Sequence, residues 1–289
     1  MRYYQLTLDS GDHLVAEAGG EYYDLSSVKP ELLEFRDLLR TAAVVEATAD
    51  DVATQLLDSA PTIDPDEVAA DRGRPLVPDE VWAAGVTYEI SEQARREESG
   101  MPDMYLDVYR AERPEIFFKA TPSRTVGPDE AVGVRADSQW NVPEPELGIV
   151  LYRGDIVGYT VGNDVSSRDI EGENPLYLPQ AKIYDRCAAV GPAVASPNTV
   201  GDPHDLSISM SIERDGETRF SGETSTGEMV RTCEELVDCF TKHNAVPELA
   251  VLLTGTSIVP PDDFDLQEGD AVTIDIESIG TLSNPVVRV

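Results

Sequence analysis

The sequence is poor in positive charge. Among 289 residues, 22 lysines and arginines face 55 aspartates and glutamates, a net charge of −33, and only four residues are lysine: Lys29, Lys119, Lys182 and Lys242. That shortage excludes a nucleic-acid or anionic-membrane partner, since both need basic patches. Cysteine is scarce too. Cys187, Cys233 and Cys239 are odd in number and lack metal-like spacing, so they make no disulfide framework and are expected as small core residues. Histidine is limited to His13, His204 and His243, all in turn-like or helix-end contexts, which disfavours zinc. No apolar run approaches the ~18 residues of a membrane span, and no signal-peptide pattern opens the chain. A soluble, cytoplasmic protein is the expectation. Internal repeats, a phosphate-binding glycine loop and low-complexity tracts are also missing.

The acidic residues that are present run from end to end, and 41% hydrophobic content argues for a folded chain rather than an acidic tail. Such a charge suits a high-salt cytoplasm, a halophilic setting in which a Debye length of about 3 Å at molar salt screens self-repulsion.

The segment 140–150, "WNVPEPELGIV", places Glu144 and Glu146 two apart at the head of an apolar, strand-like stretch. On a strand such residues share one face, with backbone positions roughly 6.5–7 Å apart. Two anions entering an interior together require a cation between them or a proton on one. Asp164, in "VGNDVSSRD", follows an alternating strand and supplies a third carboxylate at an expected strand end. Three hard oxygen donors favour Mg²⁺, Mn²⁺ or Ca²⁺. The competing reading, in a chain with 55 acids, is a solvated acidic rim. Lysine placement argues for the cation: Lys119 in "EIFFKATPS" and Lys182 in "LPQAKIYD" survive in apolar or small-residue settings. A lysine near a cation and partly desolvated is expected to lose basicity, which suits proton transfer or enolate stabilisation. A salt bridge to one of the many acids is the alternative for each.

The expected fold is α+β and β-rich. Residues 1–75 read as a small N-terminal α/β domain and linker. "YYQLTL", "HLVAEAG" and "EYYDLSSV" are strand-like, helices are expected from Pro30 and around "ADDVATQLLDSA", and 61–80 reads as a linker. Residues 76–289 read as a second domain of short alternating strands such as "ELGIVL", "LSISMSI" and "AVTIDI". Its one clear helix opens on a Thr232-to-Glu235 capping box and is expected to end near Asn244.

"EPELGIVL", "GNDVSSRD", "AKIYD", "LLTGT" and "LQEGDAVTIDIESIGTLSNPV", in this order over roughly 80–289, resemble the catalytic domain of the fumarylacetoacetate hydrolase superfamily. The resemblance implies a mixed β-sandwich roll with a small N-terminal domain, assembled as a homodimer or homotetramer. It implies that Glu144, Glu146 and Asp164 bind Mg²⁺, with Mn²⁺ possible, that Lys182 lies at the reacting centre, and that Thr256 holds substrate. The stretch 85–99, "GVTYEISEQARREES", lacks the histidine that hydrolases of the superfamily carry there. With "RPEIFFKATPSRTVGP" and "SSRDIEGENPLYLPQAKIYD", it resembles instead the dehydratase branch acting on 2-keto-3-deoxy-pentonates, small 2-keto sugar acids that become 2,5-dioxopentanoate. There Glu115 is the implied acid/base beside Lys182, with Lys119 and Tyr88 as candidate substrate contacts. Rival readings are an acylpyruvate-type carbon-carbon hydrolase, an oxaloacetate tautomerase or decarboxylase, and a salt-adapted cation-binding protein.

Overall fold

The computed structural model describes residues 1–88, 108, 109 and 111–289; residues 89–99, part of the stretch read for its missing histidine, lie outside them. Side-chain alternation builds the core. In the strand Pro145–Tyr152, Leu147, Ile149 and Leu151 join one buried cluster while Val150 and Tyr152 join another. The first cluster includes Ile208, Met210, Ile212, Val272, Ile274 and Ile276 from a five-stranded sheet. The second includes Phe35, Leu38 and Leu39 of the helix Phe35–Val44. A strand that is apolar on both faces is what a sheet covered on both sides requires. Burying each such side chain contributes about 1.5–3 kcal/mol.

Among the described residues the covered sheet is mixed and eleven-stranded. Along it, Asp155–Asp164, Pro145–Tyr152, Leu249–Leu253, Glu80–Gly85 and Glu115–Ala120 are neighbours, with Leu249–Leu253 running parallel to Glu80–Gly85. This β-rich α+β arrangement of two packed sheets is the expected fold class. The N-terminal strands extend the same sheet: Arg2–Leu8 pairs with Ala188–Ala195 through Arg2 opposite Ala195 and Tyr3 opposite Val194. No helix among the described residues is long and apolar enough to cross a membrane.

Three local expectations change. The first amphipathic helix begins at Phe35, not Pro30, because the Leu33 and Glu34 amides donate to the Asp37 carboxylate and fix the start there. The stretch 61–80 is more than a linker. It holds the strand Thr62–Ile63 and the helix Pro65–Asp71, capped by Asp64 and anchored by buried Val68. The helix Cys233–Thr241 has the expected box, Thr232 Oγ1 accepting from Glu235 N at 3.1 Å and Glu235 accepting from Thr232 N at 2.9 Å. Its left-handed follower is His243, at φ 61°, rather than Asn244.

One pairing positions the site. Pro145–Tyr152 runs antiparallel to Asp155–Asp164 with Pro145 opposite Asn163 and Glu146 opposite Gly162. One more step sets Glu144 across from Asp164, whose N–H donates to the Glu144 carbonyl at 3.0 Å.

Candidate active site

That register brings Glu144, Glu146 and Asp164 together with one ligand oxygen from each within 4.8 Å of the others, and all three are buried. Asn163 Oδ1 accepts from Glu144 N at 3.2 Å and holds the strand end. The Gly255 amide donates to Glu146 Oε2 at 2.6 Å. Burial, then the charges of Asp164 and Glu144, push the Glu146 pKa well above the ordinary glutamate value. Burial acts the same way on Asp164, but Lys119 and Lys182 outweigh it and hold that carboxylate below its ordinary value. The repulsion from Asp164 and Glu144 that raises the Glu146 pKa is what a cation among the three carboxylates would relieve. This all-oxygen donor set fits a hard divalent cation.

Lys182 ends the short helix Leu178–Lys182, where the apolar segment "AKIYD" turns inward. Its ammonium donates to Glu144 Oε2 at 2.7 Å, Ser166 Oγ at 2.7 Å and Asp164 Oδ2 at 3.3 Å. Burial works against this charge, yet Asp164 and Glu144 overcome it and raise the pKa. The loss of basicity is expected of a lysine beside a bound cation; the carboxylates by themselves act in the opposite direction. Lys119, on the strand Glu115–Ala120, is fully buried and lies 2.6 Å from Asp164 Oδ1. It also donates to the Val165 and Lys182 carbonyls at 2.8 and 2.5 Å. These three acceptors match the three donors of an ammonium, so Lys119 braces Asp164 and the Lys182 backbone beneath the cleft.

The cleft above these charges is lined by Glu144, Glu146, Lys182 and Arg168 on its polar side, and by Val86, Phe117 and Val259 on its apolar side. Thr256 lines it too, its Oγ1 accepting from Ile258 N at 3.1 Å. Glu115 pairs with Gly85, a lining residue, and its carboxylate lies over that glycine: a Cβ there would fall 1.9 Å from Glu115 Oε2. Tyr88 is not brought to the cleft surface. It is 1% exposed, bridges to Met229, and its hydroxyl has no hydrogen-bond partner among the described residues.

Sequence reasoning missed Arg168. Its guanidinium lies 2.6 Å from Glu144 Oε1 and 3.2 Å from Glu171 Oε2, all three side chains buried. The signal was available in "GNDVSSRD", where an arginine falls four residues after a ligand candidate in a chain poor in positive charge. Ser166 and Gly255 carried no such signal, because their roles rest on contacts remote in sequence.

Residues 80–287 match the family described as fumarylacetoacetate (FAA) hydrolase C-terminal. The chain belongs to this family. Within it, the chain is 61% identical to a Haloferax volcanii protein named "Probable 2-keto-3-deoxyxylonate dehydratase", with 100% of both chains covered. It is 46% identical over 220 residues, 74% of each chain, to the 2-dehydro-3-deoxy-D-arabinonate dehydratase of Saccharolobus solfataricus. The family fold is matched in a solved structure of 2-keto-3-deoxy-D-arabinonate dehydratase complexed with magnesium and 2,5-dioxopentanoate. That match has a TM-score of 0.85 at 34% identity, covering 100% of this chain and 99% of the other.

Proposed function

We propose that this chain is a magnesium-dependent hydro-lyase that dehydrates a 2-keto-3-deoxy-pentonate, derived from D-xylonate or D-arabinonate, to 2,5-dioxopentanoate in oxidative pentose breakdown. The observation that carries the reading is the 61% identity, over both full lengths, to a protein named for this activity. The buried carboxylates and adjacent lysine support it.

Glu144, Glu146 and Asp164 would hold the Mg²⁺, and Mn²⁺ satisfies the same donors. When bound, the cation polarises the substrate's ketone and acidifies the neighbouring carbon. The chain's residues do the rest. Glu115, poised over Gly85, accepts a proton from C3. The Lys182 ammonium stabilises the negative charge that develops on the C2 oxygen. Electrons return from the enolate to expel the C4 hydroxyl, which leaves as water on receiving a proton from Lys182 or Glu115. The C5 carbinol then loses its C–H proton as C3 is protonated, and the resulting C4–C5 enol loses its O–H proton as C4 is protonated, giving the aldehyde with no net change beyond loss of water. Thr256, in the cleft wall, orients the substrate. Lys119 acts through Asp164 and Lys182, and Tyr88 shapes the wall from behind.

We also take residues 1–75 as a unit that extends the sheet and 76–289 as the catalytic unit, in line with the family match over 80–287. The net charge of −33 supports a high-salt cytoplasm. A homodimer or homotetramer would cover apolar positions such as Val44 and Leu176, 84% and 83% exposed.

The test is incubation with 2-keto-3-deoxy-D-xylonate in about molar salt, with Mg²⁺ and again with chelator, following the aldehyde through a coupled semialdehyde dehydrogenase. Aldehyde that forms with Mg²⁺ and stops with chelator is the expected result. Its absence from folded, Mg²⁺-supplied protein would sink the assignment.

A further inference from the structure

The segment "GVTY" enters the cleft in an unusual backbone conformation. Val86, a β-branched residue lining the cleft, has φ 55°, in the left-handed region that such side chains avoid. A conformation of this kind persists where its surroundings over-determine it. Here the next residue supplies the restraint. Thr87 is 1% exposed; its carbonyl accepts from Val230 N at 2.9 Å, and its hydroxyl donates to the Thr254 carbonyl at 2.6 Å.

That second bond lands on a particular peptide. The Thr254 carbonyl and the Gly255 N–H belong to one planar unit and point to opposite sides of it. The carbonyl receives the Thr87 hydroxyl at 2.6 Å, and the N–H donates to Glu146 Oε2 at 2.6 Å. Hydrogen bonds linked through one amide polarise each other, so the Thr87 bond strengthens the N–H that grips Glu146. Gly255 permits the approach. Its φ is 86°, and a Cβ there would fall 2.1 Å from Thr87 Oγ1.

We infer that Thr87 is a positioning residue for the candidate metal centre: its hydroxyl fixes the Thr254–Gly255 peptide, and that peptide fixes the Glu146 carboxylate. The left-handed turn at Val86 is what delivers the hydroxyl to this peptide. The inference rests on the reading that Glu144, Glu146 and Asp164 hold a divalent cation. It adds a role for a residue that touches neither cation nor substrate.

The test is Mn²⁺ affinity by electron paramagnetic resonance, in salt that keeps the protein folded, for wild type, Thr87→Val, Thr87→Ala and Thr87→Ser. Loss of a partner bonded directly to a ligand weakens metal binding by about 10–100-fold, and Thr87, one peptide further out, is expected to show the lower part of that range, about tenfold. Thr87→Val and Thr87→Ala are expected to show that loss, and Thr87→Ser, which keeps the hydroxyl, to restore most of it. Thr87→Ala serves if the valine variant does not fold. Wild-type affinity in the hydroxyl-free variants would overturn the positioning role alone, as would a serine variant as weak as alanine. Wild type that binds no Mn²⁺ would overturn the metal reading, and this inference with it.

Discussion

The Lys182 ammonium sits 2.7 Å from Glu144 Oε2, so a lysine occupies an oxygen of a candidate metal ligand inside the protein. Asp164 Oδ2, 3.3 Å away, is engaged by the same ammonium. Lysine and divalent cation therefore draw on the same carboxylates. Lys182→Met is expected to lower turnover by about 10²–10⁴-fold, the range for a lost proton-transfer group, while binding Mn²⁺ more tightly because a competing cation is gone. Turnover assays and Mn²⁺ titration check both. Near-wild-type turnover in this variant would remove Lys182 from the mechanism.

Glu115 is held over a glycine for want of space for anything larger. Gly85→Ala places a Cβ 1.9 Å from Glu115 Oε2 and forces that carboxylate aside. Its turnover is expected to fall by roughly 10²-fold or more, as in Glu115→Gln, with Mn²⁺ affinity unchanged in both. Glu115→Gln at wild-type speed would contradict the acid/base role.

Lys119 separates bracing from substrate contact. Its ammonium is directed to Asp164 and two backbone carbonyls, so Lys119→Met leaves Asp164 underpaired in the interior. Breaking a buried pair by removing one partner costs about 3–5 kcal/mol. Denaturant unfolding is expected to show a loss of that order. A variant of unchanged stability whose only defect is a raised KM would restore Lys119 as a substrate contact.

Acid sensitivity is expected at the seam between the N-terminal helix and the sheet. Glu248 accepts from Arg40, with Arg153 and Arg36 also bonded, and its pKa falls from the ordinary value of 4.5 to about 2. A folded-state pKa below the unfolded one stabilises the protein above the unfolded value, and that contribution is lost as pH falls through the folded value. The stability difference between wild type and Glu248→Gln should thus be steady above about pH 5 and shrink between about pH 4.5 and 2. The groups are partly exposed, so molar salt should reduce the difference. Unfolding midpoints measured against pH at two salt concentrations test this; a gap that persists at pH 2 would refute it.

How much of this was legible in the sequence followed the range of the forces involved. The capping box at Thr232 and the shared face of Glu144 and Glu146 depend on neighbours, and both could be read directly. The helix Pro65–Asp71 was just as local, with Asp64 ahead of Pro65, but frequent proline and aspartate disguised it as a linker. Long-range pairing was hidden. Nothing near Arg2 announces that it lies opposite Ala195, and nothing near Gly255 announces that its amide meets Glu146. Lys182 was found because lysine is rare here, whereas its bonds to Asp164 and Glu144, which raise its pKa, join it to residues 18 and 38 positions away.

The most direct measurement compares initial rates of one Mg²⁺-loaded preparation on 2-keto-3-deoxy-D-xylonate, an acylpyruvate and the enol of oxaloacetate, in about molar salt. Carbon-carbon cleavage, tautomerisation and dehydration share the stabilisation of negative charge next to the ketone and differ in which bond breaks next. Dehydration that leads the other two by about 100-fold or more in kcat/KM, worth roughly 2.7 kcal/mol at the transition state, is the predicted result. Faster acylpyruvate cleavage or tautomerisation would contradict the dehydratase account while leaving the metal centre standing.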